Sequence, residues 1–197
     1  MCLSTAEGLQ FLLEPALARL AVSIRQKAEE YGDVIKTGRT HLMDALPIRL
    51  QDEMEAWAMQ VDECRERLTG VLPRLLRLPL GGTAVGSGIN CHPDFPARAV
   101  ARLTELTGLP CTSATSFFKG LSSLDTAVEV SGHLKTIAVV LMKIGGDLRW
   151  MNSGPLAGIG EITLPALQPG SSIMPAKVNP VIPEAVSMAA AQVIGYD

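Results

Sequence analysis

The sequence predicts an all-α fold, a bundle of long helices. Only 4% of the residues are aromatic, and the 47% that are apolar are dominated by Leu, Ala, Val, Ile and Met. This bias favours helices packed on helices over sheets. The stretch 124–152 contains no proline and carries apolar residues on more than one side. A helix of that length measures roughly 43 Å and belongs inside a bundle or an oligomer.

Helical periodicity and breaker residues define five helices. Ser4 and Glu7 form a candidate capping box for the first, and Pro15 is expected to bend it. Pro73 is expected to kink the second, and Ser122 or Ser123 is expected to cap the fourth. The predicted helices span residues 5–31, 48–78, 96–107, 123–152 and 180–195.

The remaining segments are predicted as connectors. Residues 36–47 contain the breaker Gly38, and Pro47 is placed to open the second helix. Residues 80–90, LGGTAVGSGIN, carry four glycines that let the backbone approach an anion or another chain closely. They lack the ending of a P-loop and the spacing of a dinucleotide fingerprint, so we interpret them as a tight connector. Residues 111–121 and 153–169 are predicted as loops.

Composition and cysteine usage exclude several classes of protein. The 197 residues suffice for one domain, and 17 basic against 20 acidic residues give a net charge of −3 without a basic patch for nucleic acid. The four cysteines show no C-x-x-C spacing, Cys91-His92 lacks a second ligand pair, and no secretory leader follows Met1. We expect no metal, no cofactor, no membrane segment and a cytoplasmic location.

The stretch 170–184, GSSIMPAKVNPVIPE, concentrates chemical groups between helices. It carries two hydroxyls, an ammonium, a carboxamide and a carboxylate. Pro175, Pro180 and Pro183 interrupt it, so it begins as a loop and becomes a helix near Pro180. A loop with such groups is typical of a catalytic element.

Four segments in order resemble the fumarase/aspartase superfamily: GRTHLMDALPIRL, GGTAVGSGIN, SGPLAGIGEITLP and GSSIMPAKVNP. The resemblance covers essentially the whole chain, although family members are more than twice as long. It implies that residues 1–197 form a single central helical domain, a fragment lacking the family's N-terminal and C-terminal regions. It also implies a homotetramer with a shared helical core.

The resemblance implies an anti elimination that releases fumarate from a C4 dicarboxylic acid such as aspartate or malate. A base removes a proton from the carbon beside a carboxylate, and the resulting aci-carboxylate then expels ammonia or water. Such a carbon is a very weak acid, so fixed positive charge and donors must meet the carboxylate oxygens. Lys177 and Asn179 match the family residues that do this, and Ser171 matches its general base.

Further family positions match in two segments. Ser172 matches a neighbour that contacts the substrate, and Thr40 matches a position that binds its carboxylate. His41 matches the family's histidine and Glu184 the carboxylate paired with it, an arrangement that favours the imidazolium. In the family these segments come from different subunits.

The chain departs from the family pattern in three places. Two upstream anion-binding segments are missing, one rich in Gly, Ser and Thr and one with a Ser-Ser-Asn core, so the activity of the chain alone stays open. Gln51-Asp52-Glu53 stands where Gly-Gln-Glu is usual. The segment from Phe117 to Leu121 lacks the Asn-Lys-Phe-Glu-Ala run of fumarases.

The short sequence motifs do not decide whether ammonia or water is the leaving group. PAKVNPVIPE and TGLPC are more similar to aspartases, GIGEI is more similar to fumarases, and His41 is usual in fumarases but occurs in some aspartases. We favour aspartate ammonia-lyase slightly, with fumarate hydratase as the alternative. Argininosuccinate and adenylosuccinate lyases differ around the histidine and the lysine and rank third. A non-catalytic helical oligomerisation module is the competing hypothesis.

Overall fold

The computed structural model confirms the all-α class. It describes residues 1–168, 170–174 and 176–197, so Pro175 lies outside the described residues. Contacts divide the chain into two compact units, Met1–His133 and Leu134–Asp197. The helices are α1 (Cys2–Gly8), a π-helical turn (Leu9–Leu13), α2 (Glu14–Glu30), α3 (Leu50–Leu75), α4 (Phe95–Thr107), α5 (Phe117–Ser122), α6 (Asp125–Met151) and α7 (Val181–Tyr196).

The core of the first unit lies between α2 and α3. The apolar positions of α2 recur at three- and four-residue spacing and face the buried stripe of α3. Trp57 is its largest fully buried side chain, with 2% of its surface exposed. The buried residues are Leu17, Ala21, Ile24 and Ala28 on α2 and Leu50, Trp57, Ala58, Val61, Cys64, Leu68, Val71 and Leu75 on α3.

The start of the chain corrects one prediction. Ser4 and Glu7 lie inside α1, which begins at Cys2 with Met1 as its N-cap and no side-chain cap, so the capping box is wrong. The Met1 carbonyl accepts the Thr5 N–H at 3.0 Å and extends the helix past the box. Pro15 stands in the first turn of α2, directly after the π-helical turn. A proline N cannot donate to the preceding turn, which fits a change of helical pitch at this place.

A β-hairpin replaces the predicted connector 36–47. Strand β1 (Ile35–Thr40) pairs antiparallel with β2 (Met43–Arg49), and the register shifts around Gly38. Pro47 lies in β2 opposite Thr37, and α3 begins at Leu50, so the predicted helix start at 48 is wrong. Proline is accepted on an edge strand because no N–H is needed there.

The other differences lie between α3 and α6. α3 contains Pro73 but ends at Leu75 rather than at 78, and β3 (Arg77–Leu78) then pairs in parallel with β4 (Thr112–Ser113). The predicted loop 111–121 contains α5, whose first turn is capped because the Ser116 hydroxyl accepts the Lys119 N–H at 3.3 Å. Tertiary contact thus extends structure into a segment whose sequence favoured a loop.

The glycine-rich segment 80–90 is a tight connector, as predicted. Its amides bond within the turn, since both Gly86 and Gly88 donate to the Gly82 carbonyl, at 2.9 and 3.2 Å. A Cβ on Gly86 would lie 2.6 Å from the Phe118 nitrogen, and the φ of Gly86 is +101°. Only glycine allows α5 to approach this closely.

The second unit contains the C-terminal part of α6, a long loop and α7. α7 begins at Val181 with Pro180 as N-cap, close to the predicted start, and α6 has the Ser123 hydroxyl accepting the Asp125 N–H at 3.2 Å just before it, as expected for a cap. A Cβ on Gly145 of α6 would lie 3.3 Å from the Pro183 carbonyl, so α6 and α7 approach closely there. Across the described ranges, no helix has the length and apolarity needed to cross a membrane.

Candidate active site

The loop after α6 is tied to the helix end by hydrogen bonds. The Asn152 side-chain oxygen accepts the Leu164 N–H at 2.8 Å, and the Met151 carbonyl accepts the Glu161 N–H, also at 2.8 Å. The Ser153 hydroxyl donates to the Trp150 carbonyl at 2.7 Å and accepts the Ile159 N–H at 3.0 Å. These bonds use the carbonyls that a helix C-terminus leaves free. They hold the segment SGPLAGIGEITLP against α6.

A pocket of about 1060 Å³ lies in the second unit. Its wall combines the end of α6, the loop after it, residues 176–180 and the first turn of α7. The polar and charged side chains that line it are Arg149, Asn152, Ser153, Thr163, Lys177, Asn179 and Glu184. Trp150 supplies an aromatic wall. This volume is at the upper end of small-molecule pockets.

Three predicted site residues meet in this pocket: Lys177, Asn179 and Glu184. Lys177 is exposed, and Asn179 and Glu184 are half-buried. Glu184 stands in the first turn of α7, where a carboxylate interacts favourably with the helix dipole. The loop-to-helix transition at Pro180 therefore carries all three groups to one wall.

Ser171 and Ser172 are not lining residues of this pocket. The Ser171 hydroxyl oxygen accepts the Ile173 N–H at 3.2 Å, forming a local turn, and Ser172 is exposed.

Thr40 and His41 lie at the tip of the hairpin in the first unit. Both are exposed. His41 and Leu42 have φ of +55° and +62°, so the two turn residues are both left-handed. Such a two-residue turn normally contains Asn or Gly, because other residues pay a steric cost. Strain at a polar loop residue is a frequent mark of a functional site.

The charges of the pocket favour an anion. Arg149 and Lys177 contribute two cations and Glu184 one carboxylate. In the part of the chain that the structure describes, none of these three side chains forms an ion pair. The pocket therefore presents unneutralised positive charge and amide donors, which is what a carboxylate ligand requires.

Sequence reasoning missed several lining residues, among them Arg149, Trp150 and Asn152. Arg149 and Trp150 lie in the last turn of α6 and Asn152 follows it, and periodicity assigns all three only to the end of a long helix. The resemblance of SGPLAGIGEITLP to a family segment was the signal that the end of α6 lies next to the site. It did not indicate which side chains of the helix face the loop.

Comparisons with known proteins agree with this architecture. A family model described as Lyase matches residues 1–195. A class II fumarate hydratase of Xylella fastidiosa strain Temecula1 is 57% identical over 194 residues, which cover 98% of this chain and 41% of that protein. One from Mycobacterium tuberculosis strain H37Rv is 53% identical over 186 residues, covering 94% and 39%. The chain thus spans about two fifths of the length of these curated relatives.

Solved structures share the fold of this chain over almost its whole length. The class II fumarase of Schistosoma mansoni superimposes with a TM-score of 0.95 at 33% identity, over 98% of this chain and 44% of that one. A Brucella melitensis fumarate lyase:delta crystallin bound to cobalt gives a TM-score of 0.90 at 42% identity, over 98% and 41%. With a family model over almost all residues and the same fold in these structures, the chain belongs to the fumarase/aspartase superfamily of lyases.

Proposed function

We propose that this chain carries part of the active site of a class II fumarate hydratase, which interconverts malate and fumarate. The observation that carries the proposal is the cationic pocket in which Lys177, Asn179 and Glu184 converge. The relatives bear the name fumarate hydratase class II. That name favours the fumarase alternative over the aspartase preference drawn from PAKVNPVIPE and TGLPC, so water replaces ammonia as the proposed leaving group.

Lys177 and Asn179 are the proposed carboxylate clamp. Removing a proton from the carbon beside a carboxylate places a second negative charge on that group. The Lys177 ammonium and the Asn179 amide stabilise this aci-carboxylate more than the ground state, because the charge grows where they point. The C–O bond on the neighbouring carbon then breaks, and the departing hydroxide takes a proton from solvent and leaves as water, while the base later returns its proton to solvent.

The proposed roles of the other site residues rest on the family resemblance. Ser171 is the proposed base that takes the carbon-bound proton. Ser172 and Thr40 are proposed to bind substrate oxygens. His41 of one subunit and Glu184 of another are proposed to act as a hydrogen-bonded pair, with the carboxylate holding the imidazole oriented.

We propose a homotetramer in the cytoplasm as the working form. Support comes from large exposed apolar side chains on the second unit: Val139, Trp150, Ile182, Met188, Val193 and Tyr196. Such side chains on long helices need partners. The four cysteines are free thiols, which fits a reducing compartment. Light scattering at micromolar concentration checks the assembly, and a monodisperse monomer would contradict it.

A graft tests the activity. The chain replaces the matching segment of the Xylella fastidiosa fumarate hydratase, and fumarate absorbance is followed with malate and with aspartate. We expect turnover of malate by the graft and none by its Ser171→Ala variant, which serves as the matched control. Turnover of aspartate instead would restore the aspartase alternative.

The same graft distinguishes the non-catalytic module. If residues 1–197 serve only in oligomerisation, the graft assembles to the size of the parent enzyme but releases no fumarate from either substrate. The 197-residue chain is assayed in parallel. Activity confined to the graft would mean that the chain contributes to a site that needs the rest of the enzyme.

A further inference from the structure

We propose that Arg149 binds one carboxylate of the substrate while Lys177 and Asn179 bind the other. This inference rests on the proposed function and assigns a role to a residue outside the motifs that resemble the family. It makes Arg149 a residue that selects dicarboxylates over monocarboxylates.

The position of Arg149 is the first argument. It stands in the last turn of α6 and lines the same pocket as Lys177, Asn179 and Glu184. The hydrogen bonds from Asn152 and Ser153 fix the following loop to that helix end, so the base of the Arg149 side chain is held on a rigid element. A binding group on a rigid helix is positioned more accurately than one on a loop.

The lack of a protein partner is the second argument. Several arginines pair with carboxylates of the chain, as Arg65 does with Glu14 at 2.6 Å and Arg49 with Asp52, also at 2.6 Å, whereas in the described part of the chain Arg149 shares with exposed arginines such as Arg98 a side chain without such a pair and differs from Arg98 in lining the pocket. Within the described ranges the Arg149 side chain has no carboxylate partner, although Glu184 lines the same pocket. Its donors are therefore available to a ligand.

The chemistry of the group is the third argument. A guanidinium presents parallel N–H donors that match a carboxylate in a bidentate pair, whereas an ammonium acts as a point charge. The C-terminal end of a helix carries partial negative charge, which repels an anion unless a cation offsets it. Arg149 lies at that end of α6, so its positive charge offsets the partial negative charge of the helix end and its guanidinium offers two parallel N–H donors. Two separate cations in one pocket suit a ligand with two carboxylates.

Trp150 provides a reporter for the test. The chain has two tryptophans, and Trp57 is buried in the first unit, whereas Trp150 lines the pocket and is 55% exposed. The 197-residue chain is titrated with succinate, a C4 dicarboxylate, and with butyrate, which has one carboxylate, while tryptophan fluorescence is recorded. Trp150→Phe removes the signal if the ligand enters this pocket.

We expect Arg149→Gln to weaken succinate binding by about tenfold to a hundredfold, the size of a lost charge-assisted pair, and to change butyrate binding little. Arg149→Lys is expected to recover only part of the lost succinate affinity, because lysine restores the positive charge but not the pair of parallel N–H donors. Lys177→Gln weakens both ligands. Arg98→Gln, on the exposed face of α4, is the matched control for net charge and leaves both affinities unchanged. Circular dichroism verifies that each variant is folded.

Equal succinate affinity for Arg149→Gln and the wild type would overturn the inference and reduce Arg149 to a charge at a helix end. Absence of any succinate binding by the wild-type chain would overturn it as well. Neither result affects the proposed function if the graft turns over malate. Conversely, succinate binding that depends on Arg149 in a chain whose graft is inactive would keep the inference and reject the hydratase.

Discussion

At the scale of single residues, the hairpin tip holds two residues in a backbone conformation that their side chains disfavour. His41 and Leu42 occupy the left-handed region, with φ of +55° and +62°, where Asn or Gly is usual. The sequence identified His41 through its family resemblance but assigned it to an irregular connector. A turn without Asn-Gly carries no hairpin signal, so the strain was not predictable.

Replacing Leu42 with glycine tests this strain. We expect Leu42→Gly to raise the free energy of unfolding by about 1 kcal/mol, because glycine adopts a positive φ without the steric cost. Leu46→Gly is the matched control, since Leu46 is an exposed strand residue of the same hairpin without a positive φ. It is expected to be destabilising. Urea unfolding measures both, and a Leu42→Gly variant no more stable than Leu46→Gly would rule out strain in the turn.

The roles of Ser171 and Lys177 separate in the graft. Ser171→Ala deletes the proposed base and leaves the proposed carboxylate clamp, so turnover is expected to fall on the order of 10²- to 10⁴-fold while succinate affinity persists. Lys177→Ala removes a charge that faces ground state and aci-carboxylate alike. We expect both affinity and turnover to fall, by roughly 30-fold to 1,000-fold in rate, since the contact is worth about 2 to 4 kcal/mol.

Steady-state kinetics and succinate inhibition constants check this contrast. Near wild-type turnover in Ser171→Ala would mean that the base assigned by resemblance is wrong for this protein. Unchanged succinate inhibition in Lys177→Ala would remove Lys177 from the clamp.

At the scale of elements, the long helices were predictable and the short structures between them were not. The stretch 124–152 has uninterrupted apolar periodicity, and α6 runs from Asp125 to Met151. The hairpin and α5 depend on contacts that periodicity does not contain. The hairpin register shifts around Gly38, whose Cβ would lie 2.7 Å from the Leu46 carbonyl, and α5 packs against Gly86. The sequence predicts Gly38 as a breaker and Gly86 as part of a tight connector, which is correct locally but does not specify a partner.

The packing of α2 on α3 includes a charged edge with a predictable pH dependence. The Arg25 guanidinium, above all, and that of Arg65 hold the pKa of Asp62 below its ordinary value. The unfolded chain therefore binds a proton at Asp62 more readily than the folded chain. The contribution of Asp62 to stability is fully present above about pH 3.9, the unfolded pKa, and is lost as pH falls through the folded pKa.

Urea unfolding against pH measures this contribution with Asp62→Asn as the variant. We expect Asp62→Asn to be less stable than the wild type near neutral pH, with a difference that shrinks as pH falls below about 3.9. Asp94→Asn, an exposed carboxylate outside the network, is the control and is expected to show a smaller difference. A difference for Asp62→Asn that stays constant down to pH 2 would contradict the ion pairing.

At the scale of the whole molecule, the motif 170–184 contributes one part of the pocket wall and leaves the rest unspecified. Lys177, Asn179 and Glu184 line it, whereas Ser171 and Ser172 do not. Arg149 and Trp150 complete the wall because the loop after α6 folds back through the Asn152 hydrogen bond. This hydrogen bond joins Asn152 to Leu164, twelve residues later, and sequence periodicity does not predict such a tertiary contact.

The central claim is that this chain contributes the carboxylate clamp of a fumarate hydratase. A crystal structure of the graft with succinate bound tests it most directly. We expect one succinate carboxylate within hydrogen-bond distance of the Lys177 ammonium and the Asn179 amide, and the other paired with Arg149. Succinate bound away from Lys177 and Asn179, or absent from the pocket at a concentration that inhibits turnover, would contradict the claim.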